Sequence, residues 1–338
     1  MRVPRLFEAV TSRRAVLWGA LGLAAPLALA ACGKPATKPA SGGKTAIRFG
    51  HGSAGVAVSA AQATGAFARR GLELALTPIT SGPSAVAATV GGALDFTFGD
   101  FLGWVSALSN GFDCKLVAPA NGNGNFVIIA RKGIDSPAQL VGKRIGVSSA
   151  PMFSLSVKLW LKQIGIDPAS VKLVLTGQGA EHALGRGDID ALLGYDPVVY
   201  RAQRLYGAKV IAGDPSEAVM PKGATRAAYY VNRDFLAAHP TVVDQVVAAI
   251  HEGARAWSKA TPLEKAQWSA PYLGGVSPEQ MQREMPGLME TFRYPPAQLA
   301  PFNVAANQAW VDIAAQGGAL SRRVDIAPFV YRTALEAA

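Results

Sequence analysis

The residues most suited to chemistry stand in short polar loops that follow apolar, strand-like runs. The first loop, Gly50-His51-Gly52-Ser53-Ala54-Gly55, has the G-x-G-x-x-G spacing with which a backbone cradles a dinucleotide pyrophosphate. Glu73 follows near the place of a ribose-binding acid, but it starts the next predicted strand, whereas such an acid belongs at the strand's end. We therefore predict no cofactor. We expect the glycines to let the backbone approach a ligand. Ser53 is a candidate contact of that ligand, and His51 suits a ligand contact and a structural hydrogen bond equally.

Further candidate ligand contacts are small polar or aromatic residues at or near predicted strand ends and helix starts. They are Ser81, Ser84, Asp100, Phe101, Asn125, Ser148, Ser149, Phe153, Gln178, Tyr195 and Asp196. Helix starts offer unpaired backbone N–H groups and the positive end of the helix dipole, which suit a carboxylate, sulfonate or nitrate. The serine hydroxyls equally suit ordinary helix caps. Phe153 and Tyr195 stand on loops and would supply an aromatic face.

Two acids complicate the prediction of an anion site. Asp100 and Asp196 hold equivalent positions in two similar stretches of the chain. A carboxylate in the cleft would oppose an anion and would suit a ligand with an amine or a ring N–H. Alternatively, each aspartate accepts hydrogen bonds from the N–H groups of its own loop. The second alternative is favoured for Asp100, and both stay open for Asp196.

Metal and covalent chemistry find little support in the sequence. Two cysteines and four histidines exclude a disulfide framework and a cysteine-rich zinc module, and the histidines lack metal-ligand spacing. We predict no metal site and no catalytic residues. His51 with Asp196 is the acid–base pair that an enzyme on this scaffold would have to use. Cys114 is expected to be a buried small residue.

The composition narrows the class of protein further. With 338 residues, 50% hydrophobic and 17% charged, the chain is too apolar to be disordered and long enough for one large or two medium domains. The net charge is +10, but the cations are scattered without the stripe that nucleic-acid binding requires. A second long apolar run is lacking, which excludes a multi-span membrane protein.

The elements that must position the candidate loops occur twice in one order: strand, loop, helix, strand, loop, helix, strand. The clearest match is Gly92-Ala93-Leu94-Asp95 against Gly187-Asp188-Ile189-Asp190, which lies 95 residues later. The second copy is interpreted as lacking the glycines of the first loop. Alternating strands and helices predict an α/β protein with mainly parallel sheets, whose ligands bind beyond the carboxyl ends of the strands.

Two apolar runs, 126–131 and 226–231, suit strands that cross a hinge between lobes. We therefore expect residues 45–130 and 232–338 to form lobe 1, and residues 131–231 to form lobe 2. Each lobe would be a mainly parallel sheet flanked by helices. The loops of the two lobes would then face each other across a cleft.

The N-terminus carries the features of an export signal. Residues 1–14 hold four arginines and one acid, and residues 15–31 form an uncharged apolar run that ends at Cys32. The end of this run resembles the bacterial lipobox, so we expect a signal peptide over 1–31, a lipid on Cys32 and a flexible tether over 32–44. An uncut membrane anchor is the alternative. Arg13-Arg14 partly matches a twin-arginine signal and equally suits an ordinary one.

Four segments carry a resemblance to a known family. They are GAFARRGLEL at 65–74, GALDF at 92–96, GIDSPAQLVGKRIGV at 133–147 and GDIDA at 187–191. With them, residues of about 45 to 335 resemble the substrate-binding proteins of ATP-driven (ABC) importers of the nitrate/sulfonate/taurine type, which have the two-lobed type II periplasmic binding protein fold.

The resemblance implies a monomeric, non-enzymatic lipoprotein that faces the periplasm or the outer surface of the cell membrane. It would capture a small organic anion, such as a sulfonate, a taurine-like molecule or an aromatic carboxylate, and deliver it to a permease coupled to an ATPase. The alternatives are a binding protein for a pyrimidine-like heterocycle, or an enzyme or sensor on the same fold.

Overall fold

Two five-stranded sheets form from the residues that the computed structural model describes, which are 43–51, 56–79, 82–121, 126–177, 179–272, 276–284 and 300–336. The strands are β1 (Thr45–His51), β2 (Leu72–Pro78), β3 (Phe96–Asp100), β4 (Cys114–Asn121), β5 (Val127–Ala130), β6 (Arg144–Val147), β7 (Lys172–Leu175), β8 (Ala191–Gly194), β9 (Lys209–Ala212) and β10 (Ala227–Asn232). These residues all belong to one compact unit.

Helices separate and follow the strands. They are α1 (Val56–Ala63), α2 (Gly82–Val90), α3 (Phe101–Ser109), α4 (Pro151–Gln163), α5 (Ala180–Arg186), α6 (Val198–Tyr206), α7 (Pro215–Val219), α8 (Arg233–Ala238), α9 (Pro240–Lys259), α10 (Pro262–Ser269), α11 (Pro278–Glu284) and α12 (Val304–Gln316).

The two sheets have the same topology. Their strand orders are β2-β1-β3-β10-β4 and β7-β6-β8-β5-β9. In each sheet the fourth strand is antiparallel to both neighbours, and the other pairings are parallel. The expected α/β fold of two mainly parallel sheets is confirmed. We call each sheet with its packed helices a lobe, lobe 1 for the first and lobe 2 for the second.

The crossing strands exchange lobes. Val127–Ala130 (β5) pairs with β8 and β9 in lobe 2, and Ala227–Asn232 (β10) pairs with β3 and β4 in lobe 1. The boundaries expected after residues 130 and 231 therefore fall one strand too late. Each crossing segment satisfies its backbone hydrogen bonds in the sheet it enters, not in the sheet it leaves.

Helices cover both faces of both sheets. In lobe 1, α1 and α9 pack with Phe49 and Trp257 on one face, and α3 and α12 pack with Trp104 and Trp310 on the other. In lobe 2, successive residues of β5 point to opposite faces. Ile128 therefore packs with α4, whereas Ile129 packs with α5 and α6.

One glycine of the first loop has a packing role. A Cβ on Gly50 would stand 2.6 Å from Leu94 Cδ1 and 2.8 Å from Thr97 Oγ1. The absence of a side chain at Gly50 therefore lets Leu94 and Thr97 pack directly against its backbone. Gly146 is its counterpart in lobe 2, where a Cβ would stand 2.7 Å from Ile189 Cδ1. The interpretation that the second copy lacks the glycines is therefore wrong at this position.

Several predictions fall on residues outside the described part of the chain. Residues 1–42, which include the signal, Cys32 and most of the tether, lie outside the described ranges. The candidate contacts Ser53, Ser81, Asn125 and Gln178 lie outside them as well. Within the described ranges, no helix combines the length and apolar character needed to cross a membrane. The same ranges contain no cluster of His, Cys, Asp or Glu side chains able to hold a metal ion.

Candidate functional site

Three aromatic side chains meet at the carboxyl-end edge of the lobe 2 sheet. Phe126 precedes β5, Phe153 lies in the first turn of α4, and Tyr195 follows β8. The Phe126 ring centroid lies 4.8 Å from that of Phe153 and 5.1 Å from that of Tyr195. We call these three residues the aromatic group. Tyr195 is 40% exposed, so the group presents an aromatic surface to solvent.

A buried ion pair lies beside the aromatic group. The Arg226 guanidinium is 2.6 Å from the Asp214 carboxylate, and their side chains are only 3% and 4% exposed. Asp214 is the N-cap residue of α7, and its carboxylate accepts hydrogen bonds from the backbone N–H and the hydroxyl of Ser216. The guanidinium carbon also lies 5.7 Å from the Phe126 ring centroid, within reach of a cation–π interaction. A fixed positive charge therefore stands next to an aromatic face.

Arg226 also connects the two lobes through its backbone. It immediately precedes β10, and its carbonyl accepts a hydrogen bond of 2.7 Å from the N–H of Phe101 in lobe 1. Its side chain pairs with Asp214, which follows β9 of lobe 2. Because Phe126 precedes the other crossing strand, the two crossing segments contact each other at this point. The contact between the crossing segments and the aromatic group are thus adjacent.

Asp100 ends β3 and caps α3. Its carboxylate accepts the Gly103 N–H at 2.7 Å, which confirms the interpretation that it bonds its own loop. Burial raises the pKa of this carboxyl to about 7, although the Gly103 N–H and the positive charge of Arg226 both act to lower it. Asp100 therefore changes its charge near neutral pH, close to the buried Arg226.

The other acid and the histidine have partners in their own lobes. Asp196 accepts the Tyr200 N–H at 3.3 Å, which parallels the bond that Asp100 makes in lobe 1. His51, at the end of β1, is only 5% exposed. Its ring stacks on Tyr272 with centroids 4.1 Å apart, and its Nε2 lies 3.4 Å from Ser59 Oγ. The acid–base pair that an enzyme would need thus consists of His51, which contacts residues of lobe 1, and Asp196, which contacts a residue of lobe 2.

The remaining predicted contacts divide into buried and exposed residues. Phe101 is fully buried between Trp104 and Phe302, so its place among the ligand contacts is corrected to core packing. Ser84 is exposed within the first turn of α2. Ser148 and Ser149 are exposed after β6, and Ala150 rather than a serine is the N-cap residue of α4.

Sequence reasoning missed the ion pair. The sequence pattern indicates only that Arg226 starts a hinge strand, and it gives Asp214 no role. The available signal was a single arginine directly before the uncharged run Ala227–Val231, because a charge at the edge of a buried strand needs a partner. The partner itself lies 12 residues earlier in another element, and no local pattern links the two positions.

Comparison with known proteins identifies the family. Residues 55–264 match the family described as NMT1/THI5 like, which is more than half of the chain. The chain belongs to the NMT1/THI5-like family. Among curated relatives of this family member, the taurine-binding periplasmic protein of Escherichia coli (strain K12) is 29% identical over 214 residues. That match covers 59% of this chain and 62% of the relative, so the chain spans less than two thirds of the relative's length.

Solved structures show the fold of this NMT1/THI5-like protein. The alkanesulfonate-binding protein SsuA of Xanthomonas axonopodis pv. citri, bound to MOPS, superposes with a TM-score of 0.69 at 20% identity. It covers 85% of this chain and 98% of its own. The desulfurization enzyme DszB, in complex with biphenyl-2-sulfinic acid, has a TM-score of 0.62 at 16% identity and covers 86% and 97%. The fold is that of periplasmic binding proteins, and the enzyme DszB has the same fold.

Proposed function

We propose that this protein is the extracytoplasmic substrate-binding component of an ABC importer, which captures a small organic sulfonate or carboxylate between its lobes and delivers it to a permease. Family membership and the taurine- and sulfonate-binding relatives support the class of protein. The single observation that supports the ligand class is the aromatic group beside the buried Arg226. Aromatic rings pack against an organic body, and the guanidinium field favours a nearby anion.

The charge balance of the site limits how strong this attraction is. Asp214 neutralises Arg226 directly, so an anion gains only the residual field of the pair and the N–H groups at helix starts. A micromolar dissociation constant corresponds to about −8 kcal/mol, which a few hydrogen bonds and one aromatic face supply. The ligand therefore needs an apolar part as well as a charge, as an alkyl or aryl sulfonate has.

The test is calorimetric titration of the purified protein with taurine, MOPS, butanesulfonate, benzoate and an aminopyrimidine. We expect micromolar binding of at least one sulfonate, weakened about tenfold by Tyr195→Ala through loss of one aromatic face. Tyr206→Ala is the matched control, because Tyr206 is another tyrosine of lobe 2 with a similar exposure of 37%. Binding of the aminopyrimidine alone would show that the ligand is a heterocycle and not a sulfonate. Binding of none of the probes would refute the proposed ligand class.

Binding rather than catalysis is proposed, although the fold also carries DszB. Cys114, the free cysteine of the described residues, lies fully buried in β4. Burial raises the pKa of its thiol to about 12, so it is a poor source of a nucleophilic thiolate. Incubating each bound probe with the protein and analysing it by mass spectrometry tests this proposal. Conversion of a probe at a stoichiometry above one would establish an enzyme instead.

A lipid on Cys32 is proposed as the membrane anchor of the exported protein. Its support is the sequence alone: basic residues, an apolar run, and small residues directly before the cysteine. Cys32→Ala should move the protein from the membrane fraction to the soluble periplasmic or culture fraction. Cys114→Ala is the control with an equal change of composition, and it should leave the fractionation unchanged. Membrane retention of Cys32→Ala would show an uncut apolar anchor instead.

A further inference from the structure

Arg201 lies between carboxylates of the two lobes. It stands on α6 of lobe 2, and its Nη2 is 2.9 Å and its Nε 3.1 Å from Glu284 Oε2. Glu284 ends α11, which packs on α10 and through it on α1 of lobe 1. On the other side, Arg201 Nη1 is 3.7 Å from Oε1 of Glu181, which lies in the first turn of α5 in lobe 2. One guanidinium therefore joins a carboxylate of its own lobe to a carboxylate of the other.

The opposite flank of the molecule joins the lobes differently. There α4 of lobe 2 contacts lobe 1 through apolar side chains, since Met152 and Leu155 belong to the same core cluster as Trp310 and Leu320. The approach is close: a Cβ on Gly317 would stand 2.7 Å from Leu155 Cδ1. Because α4 and α6 cover opposite faces of the lobe 2 sheet, one flank is apolar and the other is ionic.

The two flanks respond differently to separation of the lobes. Opening the apolar flank would expose packed side chains to water, which costs free energy in proportion to the area exposed. Opening the ionic flank returns Glu284 to solvent, while Arg201 keeps Glu181. The Glu181 side chain is 3% exposed, and its Oε2 has no hydrogen-bond partner among the described residues, so it offers an acceptor to the released guanidinium.

We propose that the Arg201–Glu284 pair is a latch that holds the two lobes together on the ionic flank, while the apolar contact of α4 serves as the pivot side. The latch extends the proposed function, because it sets the distance between the lobes before any solute binds. A solute that bridges the lobes then further increases the fraction of closed molecules, which the latch has already raised. Arg201 and Glu284 thereby tune affinity without touching the ligand.

The electrostatic surroundings of Glu284 fit this role. Burial opposes its ionisation, but the hydrogen bonds from Arg201 and Gln280 and the charges of Arg201 and Arg283 outweigh burial and hold its pKa below the usual range. The facing groups are Arg201 on α6, Glu181 with its neighbour His182 on α5, and Gln280 and Arg283 on α11 itself. The latch is therefore ionised at neutral pH and weakens only under acidic conditions.

Distance measurement between spin labels tests the latch without any ligand. Labels at Thr77→Cys and Leu175→Cys lie on exposed ends of the edge strands β2 and β7, which are farthest in each sheet from the crossing strands. Cys32→Ser removes the proposed lipid attachment site, so that neither a lipid nor a thiol is present at this position, and Cys114 is fully buried. We expect Glu284→Gln to lengthen the distance and lower the ratio of closed to open molecules about two- to fivefold, as for a partly exposed ion pair.

Two further measurements keep the test independent of folding defects. Glu181→Gln removes a carboxylate from the same cluster and the acceptor for the released guanidinium, but it leaves the bond between the lobes, so it should not lengthen the distance. Raising the salt concentration from about 0.02 M to about 1 M on the otherwise unchanged labelled protein should lengthen the distance through screening. An unchanged distance in Glu284→Gln, or an equal shift in Glu181→Gln, would overturn the proposal. A longer distance in Glu284→Gln together with a failure of every probe to bind would leave the latch standing and would instead count against the proposed ligand class.

Discussion

Asp95 and Asp190 bind arginines in the same way, one in each lobe. Asp95 accepts the Arg48 backbone N–H at 2.8 Å and pairs with its guanidinium, and Arg48 also donates to the carbonyl of Gly92 at 2.8 Å. Asp190 accepts the Arg144 backbone N–H at 2.9 Å, and Arg144 donates to the carbonyl of Gly187 at 2.6 Å. The Gly-x-Leu/Ile-Asp repeat thus exists because each copy fastens the turn before its third strand to its first strand.

This relationship predicts an acid-dependent stability. Burial acts to raise the pKa of Asp190, but the hydrogen bonds from Arg144 and the charge of Arg131 outweigh burial. Together they lower this pKa from 3.8 to about 2. The ionised carboxylate therefore stabilises the fold above about pH 4, and this contribution is lost as the pH falls toward 2. Urea unfolding between about pH 4 and pH 2 should show that the unfolding free energy of Asp190→Asn decreases less than that of the wild type. Asp188→Asn, at an exposed acid two residues away, should follow the wild-type curve.

Two helical glycines should differ in how far replacement by alanine destabilises the protein. A Cβ on Gly253 in α9 would stand 2.0 Å from the Ala57 carbonyl and 2.6 Å from the Ala61 nitrogen, which are backbone atoms of α1. Gly253→Ala should therefore lower the unfolding free energy by about 2–3 kcal/mol, despite the better helix propensity of alanine. A Cβ on Gly185 would instead meet the Tyr206 ring, which is 37% exposed and can swing outward. Denaturant titration of Gly185→Ala should show a change below about 1 kcal/mol, and equal losses would contradict the distinction.

Asp100 should destabilise the protein when it ionises. Because burial raises its pKa to about 7, the native state holds the proton more tightly than the unfolded chain, and the unfolding free energy falls as the pH rises from about 4 to about 7. Asp100→Asn keeps an oxygen acceptor for the Gly103 N–H and removes this pH-dependent loss. Asp100→Ala removes the cap as well and should cost about 1 kcal/mol at pH 5. Parallel stability curves for wild type and Asp100→Asn between pH 5 and 8 would show that burial does not control this group.

The buried pair of Asp214 and Arg226 should be far more costly to break than an exposed pair. Asp214→Asn leaves the guanidinium without its carboxylate in a site 3% exposed, and such changes cost about 3–5 kcal/mol. Asp135→Asn is the control, since Asp135 and its partner Lys209 are 57% and 62% exposed, and the change should cost below about 1 kcal/mol. Thermal unfolding of both variants compares them directly. Similar melting temperatures would mean that water reaches the buried pair.

The sequence predicted those parts of the fold that depend on local patterns. The α/β class, the two mainly parallel sheets and the internal repeat follow from apolar runs, from the order of the elements and from the Gly-x-Leu/Ile-Asp pattern. The exchange of β5 and β10 could not be read in this way, because a short apolar run fits either sheet equally well. The same limit applies to Arg226, Asp214 and Arg201, whose partners are distant in sequence and whose charges suggest only solvated surface.

The place of β10 has a consequence for how the molecule is made. This strand fills the position between β3 and β4, so residues up to 121 leave a vacant slot in their sheet until Asn232 has emerged from the ribosome. Such distant pairing makes assembly slow and dependent on nearly the entire polypeptide. Lobe 1 therefore cannot be excised as one continuous fragment that ends at residue 121, and truncation anywhere before residue 232 should leave its sheet incomplete.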